Sequence, residues 1–396
     1  MAIASDIIYL KYDNIYIICF QQKNSSLKLS LTNFTFGDII RKNIMEKDVF
    51  FMAHFSDAIF QLISMIMSLL MSFGAITIPG TEDVIKQIEN DTVINFVVTG
   101  DTQVCNYNPS RETNLISTAE DLKNAETTID AFIVAGDVVE NGFQDEFDRV
   151  YEDIKDINVD NFIMCSGNHD IRLREYEQAT SRFINFMNSL NIEETAIDSL
   201  RYTYELNGYK FIVMASDKHE FEEAFISDEQ LQWLNLELKE ATAEGKPAFV
   251  IAHYPLAEGH GLPNTWGSAN MPGQPGRLPE YTRQDDYDYT GSIGEHSNDV
   301  YDILTKYKNV FFITGHLHTG LGINTYQPIN AANNVQGINV PSLGIDNKDG
   351  TYNNPGTGLY VEVTPDEVIF YARDFANGKY LSVDEFSETV AVFPLV

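Results

Sequence analysis

Cysteine is nearly absent: Cys19, Cys105 and Cys165 are the three in 396 residues. Three thiols cannot make a disulfide framework, and Cys165 ends an apolar run, where a buried, inert thiol is the default. Basic residues are also scarce, with Lys+Arg 26 against Asp+Glu 58 for a formal net charge of -32. Residues 1–80 hold six basic and six acidic residues, so the whole deficit falls on residues 81–396, with 20 basic against 52 acidic. Such a surface repels a phosphate backbone, which excludes long nucleic acid as a partner. Its ordinary use is to keep the chain in solution. No basic cluster is available to hold a polyphosphate, no internal repeat is visible, and no linker separates a further domain. What remains is 44% hydrophobic and 21% charged residues, the make-up of a globular chain able to bury a sizeable core.

One long run lacks charge altogether. Ala58–Thr81 carries no ionised side chain and is long enough to span a bilayer at about 20 residues. Three readings stand: a cleaved signal peptide with Ser72, Gly74 and Ala75 near the cut, a retained membrane anchor, or a buried helix. The first two put the rest of the chain outside the cytoplasm, secreted or tethered, and the third keeps it cytoplasmic. Asp57 precedes the run where a signal peptide has a basic cluster. Residues 1–57 show no consistent period and form an unassigned leader, as a start placed too far upstream would produce.

From about residue 90 short apolar runs alternate with amphipathic stretches. The runs Val93–Thr99, Ala131–Ala135, Asn161–Cys165, Tyr209–Ala215, Ala248–Ala252 and Asn309–Ile313 are rich in Val, Ile and Phe, as buried strands are. Ser227-Asp-Glu-Gln230 reads as a capping box opening a helix with Leu231, Leu234 and Leu238 on one face. Thr113–Asn124 and Gln144–Ile154 read as helices too. This alternation implies an α/β fold with its functional loops at the carboxyl ends of the strands. Residues 256–294 form one long loop rich in Gly, Pro and aromatics. Residues 323–396, with strand-like Gly358–Val363 and Glu367–Arg373, read as a β-rich completion of a single domain over residues 90–396.

The chemistry gathers where the runs end. In order come Gly100-Asp101-Thr102-Gln103, Gly136-Asp137, Gly167-Asn168-His169-Asp170, His253, and Gly315-His316-Leu317-His318. Each places an oxygen or nitrogen donor just after a strand, and glycine lets the backbone turn sharply there. Parallel neighbours would bring Asp101, Gln103, Asp137, Asn168, His253, His316 and His318 to one sheet edge. Seven mixed carboxylate, amide and imidazole donors are too many for one tetrahedral ion but suit a pair sharing a carboxylate, and they suit Mn, Fe or Zn better than Ca or Mg. Any one segment alone is compatible with a structural role; the set in this order is not.

That order resembles the calcineurin-like metallophosphoesterase superfamily, with the likeness running from about Asn95 to Gly320 and weaker features at Ser227–Leu238 and Val340-Pro-Ser-Leu343. The resemblance implies a four-layer α/β/β/α sandwich of two mixed sheets flanked by helices. It further implies that Asp101, Gln103 and His318 hold one metal, that Asn168, His253 and His316 hold a second, and that Asp137 bridges them. His169 would face the substrate phosphate, with Asp170 orienting its ring. Gln103 departs from the commonest pattern, which has His there, and an amide oxygen is a weaker, neutral ligand. Two cations about 3.5–4 Å apart acidify a bridging water, and the hydroxide would attack phosphorus in line with the leaving alkoxide. His169 would stabilise the growing charge or protonate the leaving oxygen.

The substrate so implied is a small or lipid-linked phosphoester, monoester or diester, with His260, Trp266, Tyr281, Tyr287 and Tyr289 of the long loop able to cover a base or headgroup. Two rivals are a non-catalytic scaffold on the same fold and metal-dependent hydrolysis of a non-phosphate ester or amide.

Overall fold

The computed structural model describes residues 83–396, apart from 174, 192–195, 220–222 and 258–290, together with three strands that precede them. Two compact units divide the chain, Met1–Thr77 and Ile78–Val396. In the first, β1 (Ile7–Tyr12), β2 (Ile15–Phe20) and β3 (Lys28–Leu31) form an antiparallel sheet in that order, with Ile7 opposite Phe20 and Phe20 opposite Lys28. These strands lie in the leader to which the sequence reading assigned no fold. The β-branched and aromatic make-up of β1 and β2, separated in the sequence by Asp13-Asn14, suits such a pair of strands. The run Ala58–Thr81 lies outside the described residues, and among those described no helix is long and apolar enough to cross a membrane.

In the second unit all six expected apolar runs are strands: β4 (Ile94–Thr99), β5 (Ile129–Val134), β6 (Val159–Met164), β8 (Tyr209–Val213), β9 (Ala248–Ala252) and β10 (Val310–Thr314). β7 (Tyr202–Leu206), β11 (Tyr326–Asn330), β12 (Val335–Asn339), β13 (Thr357–Val363), β14 (Glu367–Asp374), β15 (Lys379–Tyr380) and β16 (Val390–Pro394) complete them. One sheet runs β15-β14-β13-β4-β5-β6, with β16 also on β14; the other runs β11-β12-β10-β9-β8-β7. β4, β5 and β6 are parallel, as are β8, β9, β10 and β12, and the remaining pairings are antiparallel.

The sheets face one another through phenylalanines. Phe96 of β4 meets Phe211 and Phe249 edge-on at 5.3 and 5.1 Å, and Phe311 of β10 lies 5.8 Å from Phe370 of β14. Helices cover both outer faces. On the first sheet, α1 (Pro109–Lys123), α2 (Gln144–Ile154) and α4 (Tyr176–Leu190) bury Leu115, Phe147 and Phe183, with the one-turn α3 (Asn168–Ile171) between α2 and α4 in the chain. On the second, α5 (Asp228–Ala241) and α6 (Ser297–Leu304) bury Leu234, Leu238, Val300 and Leu304. The architecture is therefore the expected α/β/β/α arrangement of two mixed sheets flanked by helices. Only half of the expected capping box forms. Ser227 accepts from the Gln230 backbone, but the Gln230 side chain turns inward to Ala215 and Asp217, because its amide satisfies the buried backbone beyond β8.

Candidate metal centre

Because β4, β5 and β6 run parallel, their carboxyl ends release Gly100-Asp101, Gly136-Asp137 and Gly167-Asn168 at one edge. β9 and β10, parallel in the other sheet, release His253 and Gly315-His316. Backbone bonds lock these ends together. Asp101 N donates to Gly136 O at 3.0 Å, Gln103 N to Asp137 O at 2.9 Å, and Gly315 N to His253 O at 3.0 Å. Gly100 pairs with Ser342 beyond β12, which joins the two sheets at the same edge.

The approach is too close for side chains at two glycines. A Cβ on Gly136, whose φ is +91°, would lie 2.3 Å from His253 Nδ1, and one on Gly167 would lie 2.1 Å from Asp137 Oδ1. The donors are themselves strained. Among the described residues nine non-glycines have positive φ, and five of them are Asp101, Gln103, Asp137, His316 and His318. Such conformations cost free energy and concentrate at functional sites.

Asp137 sits at the centre. Its carboxylate falls in two groups whose donor atoms all lie within 4.8 Å of one another: Asp137 with His253 and His316, and Asp137 with Asp101 and His318. The ring of His253 is fixed by donation from Nδ1 to the Ala135 carbonyl at 2.9 Å, so Nε2 is the atom that faces the centre. There it lies 3.2 Å from Asn168 Oδ1, 3.3 Å from Asp137 Oδ2 and 3.1 Å from His316 Nδ1. His318 Nε2 lies 3.1 Å from Asp101 Oδ1. Gln103 donates from Nε2 to Asp137 Oδ2 at 3.1 Å, while its buried Oε1 has no hydrogen-bond partner. The structure thus brings all seven expected donors to one place.

Lone pairs converge there in a dry setting, and this is the test of whether a cation fits. Asp101, Gln103, Asp137, Asn168, His253 and His316 are all buried, so unpaired acceptors are costly. The electrostatics state the same need for positive charge. Burial opposes a proton on His253, yet Asp137 and then Asp101 pull its pKa up to about 9. Burial would raise Asp137, but His253 and His169 hold its carboxyl well below the usual range. Burial and the neighbouring His253 push His316 well down. The residues fit a pair of cations.

His169 follows Asn168, and its backbone N–H donates to Asp137 Oδ1 at 2.9 Å. Asp170 does not orient its ring, which corrects the expectation from sequence. The Asp170 carboxylate accepts from Gly167 N, Val139 N and Val138 N at 2.8, 2.9 and 3.3 Å, clipping the loops after β5 and β6 together. Its place in the first turn of α3 aims it back at the backbone. Burial and then Asp137 raise its pKa to about 7. Glu140 takes the orienting position instead. Its carbonyl accepts from His169 Nδ1 at 2.9 Å and its Oε2 lies 3.3 Å from the same atom, leaving Nε2 toward Asp137. Arg111 holds the Glu140 carboxylate, with Arg172 3.8 Å away. Burial works against a proton on His169, but Asp137 and Glu140 raise its pKa. The signal for Glu140 was its place three residues after Asp137 in Gly-Asp-Val-Val-Glu. His260, Trp266 and Tyr287, with Tyr281 and Tyr289, lie outside the described residues.

The profile of calcineurin-like phosphoesterases matches residues 94–320, more than half of the chain. The chain belongs to the calcineurin-like phosphoesterase family. No curated protein matches it. Among solved structures, this calcineurin-like phosphoesterase is similar to a dimetal phosphatase from Danio rerio, at 12% identity and TM-score 0.46, over 77% of this chain and 100% of that one. It is also similar to a purple acid phosphatase from yellow lupin (Lupinus luteus) seeds, at 14% identity and TM-score 0.49, over 73% of this chain and 52% of that one. A Vps29 from Entamoeba histolytica aligns at 12% identity and TM-score 0.31, over 76% and 100% of the two chains. At such scores the likenesses carry no weight beside the family match and the site itself.

Proposed function

We propose that the chain hydrolyses a phosphoester at a centre of two metal ions, with Asp101, Gln103 and His318 serving one ion, Asn168, His253 and His316 the other, and Asp137 shared between them. The observation that carries this reading is that Asp137 alone belongs to both donor groups. Mixed oxygen and nitrogen donors suit Mn, Fe or Zn. When bound, the pair supplies Lewis acidity and brings a water pKa toward neutrality. The protein residues do the rest. His253 is held in one tautomer by Ala135 O, and Asp137 is steadied by the backbone N–H of His169. His169, whose pKa Asp137 and Glu140 raise against burial, would present Nε2–H when protonated to a phosphoryl oxygen or to the leaving oxygen.

The substrate in this reading is a small or lipid-linked phosphoester, because the acidic surface disfavours long polyanions. The uncharged run Ala58–Thr81, read as a signal peptide or an anchor and not as a buried helix, supports a catalytic unit outside the cytoplasm, secreted or tethered; fractionation of cells with and without residues 58–81 tests this. For the chemistry, Asp137→Asn should remove at least about three orders of magnitude from turnover of a chromogenic phosphodiester and lower the bound metal. Near-normal activity in that variant would sink the mechanism.

A further inference from the structure

Tyr107 lies on the loop that carries Gln103 from β4 into α1. It is 65% exposed, and among the large apolar side chains left exposed in the described residues it is the one aromatic; all the others are aliphatic. An aromatic ring in water forgoes a large burial gain. Burial and then the neighbouring Glu140 carboxylate raise the pKa of its hydroxyl. That carboxylate is the one 3.3 Å from His169 Nδ1, so the ring is mounted two side chains from the atom that faces the metal centre. The loop beneath it is rigid. Val104 N donates to Val138 O at 3.3 Å, Glu140 N to Val104 O at 3.1 Å, and Arg111 Nη1 to Gln103 O at 3.3 Å.

An exposed ring beside Glu140, carried on a tied-down loop at the rim of a site, is pre-organised to receive a flat partner. We propose that Tyr107 is a stacking platform for a planar aromatic group, a nucleobase or an aryl ring, carried by the phosphoester. This rests on the phosphoesterase reading and narrows its substrate class. In this reading Tyr107 takes no part in bond breaking. It is a specificity residue.

The test uses the full chain purified with Mn²⁺ and measures binding of adenosine 5′-monophosphate, phenyl phosphate and ribose 5-phosphate by calorimetry. The three carry similar phosphate charge, so the metal centre alone would hold them comparably. The unsubstituted protein should favour the two aromatic probes. Tyr107→Ala should weaken those two about 5- to 100-fold, the range for loss of one stacked base, while ribose 5-phosphate changes less than about twofold. Tyr107→Phe should keep the preference. Loss confined to adenosine 5′-monophosphate assigns the platform to nucleobases, and loss of both assigns it to any aromatic ring. Equal weakening of all three probes, or no aromatic preference in the unsubstituted protein, overturns the proposal while leaving the phosphoesterase reading intact. Absence of binding to all three, together with no hydrolysis across a phosphoester panel, overturns both.

Discussion

Replacing Gly136 with alanine separates the strain of the backbone from the fit around the metal centre. The substitution meets two obstacles. The first is conformational: φ is +91°, a region that L side chains rarely adopt, at a cost of roughly 1–2 kcal/mol. The second is steric, because the new Cβ would lie 2.3 Å from Nδ1, 2.5 Å from Cγ and 2.6 Å from Cβ of His253. Contact with the root of that side chain cannot be relieved by rotating the ring, so the His253 backbone must shift and the bond from Nδ1 to Ala135 O is lost. A buried donor left unpaired adds about 1–3 kcal/mol. Gly245 supplies the control: its φ is +78°, and nothing lies within 4 Å of an added Cβ. Gly245→Ala should therefore cost about 1 kcal/mol and leave the metal content unchanged. Gly136→Ala should cost about 3–5 kcal/mol. At roughly 2 °C per kcal/mol for a large domain, the two should melt about 2 °C and about 6–10 °C below the parent. Titration of Mn²⁺ followed by elemental analysis should show metal affinity down about 10- to 100-fold for Gly136→Ala only, as for loss of an orienting contact. If Gly136→Ala binds metal like the parent and melts with Gly245→Ala, His253 is not held as described.

Two further outcomes follow from side chains near and far from the centre. Glu140→Gln should lower kcat about 10- to 100-fold with bound metal unchanged. Because Glu140 helps raise the His169 pKa, its removal should move the alkaline limb of the kcat profile to lower pH; a limb that moves upward would refute the assignment. Asp153 has its pKa raised to about 6 by burial and then by Glu112. The native state therefore binds a proton more tightly than the unfolded chain, so the charged carboxylate destabilises above pH 6 and the penalty fades toward pH 4. Asp153→Asn should add up to about 1 kcal/mol at pH 8, limited by solvent screening, and nothing near pH 4, as read by urea unfolding at both pH values.

The sequence was most readable where one force acted alone. Strands β4, β5, β6, β8, β9 and β10 are buried over most of their length, and runs rich in Val, Ile and Phe announce them. Strands β11 and β12 were not legible because Gln, Asn and Gly interrupt them; Gln336 and Asn339 are buried only because neighbouring strands enclose them. Helix α4 was overlooked although Ala179, Phe183, Phe186 and Met187 keep a helical spacing on its buried side. In the site, the donors were legible because each follows a strand end. The roles of Asp170 and Glu140 were not, since a carboxylate three residues along a turn can face either the backbone or a neighbouring ring. Only the closed loops after β5 and β6 decide between them.

The five donors with left-handed backbones carry a further meaning. At φ between 40° and 70°, glycine would be the most comfortable occupant at Asp101, Gln103, Asp137, His316 and His318. Selection for thermal stability alone would drift toward glycine or asparagine at these positions, because each such change relaxes the chain. The presence of two carboxylates, an amide and two imidazoles there is therefore a trace of selection for something other than folding. It also marks where an engineer seeking a hardier protein would find the largest easy gains, and would lose the chemistry by taking them.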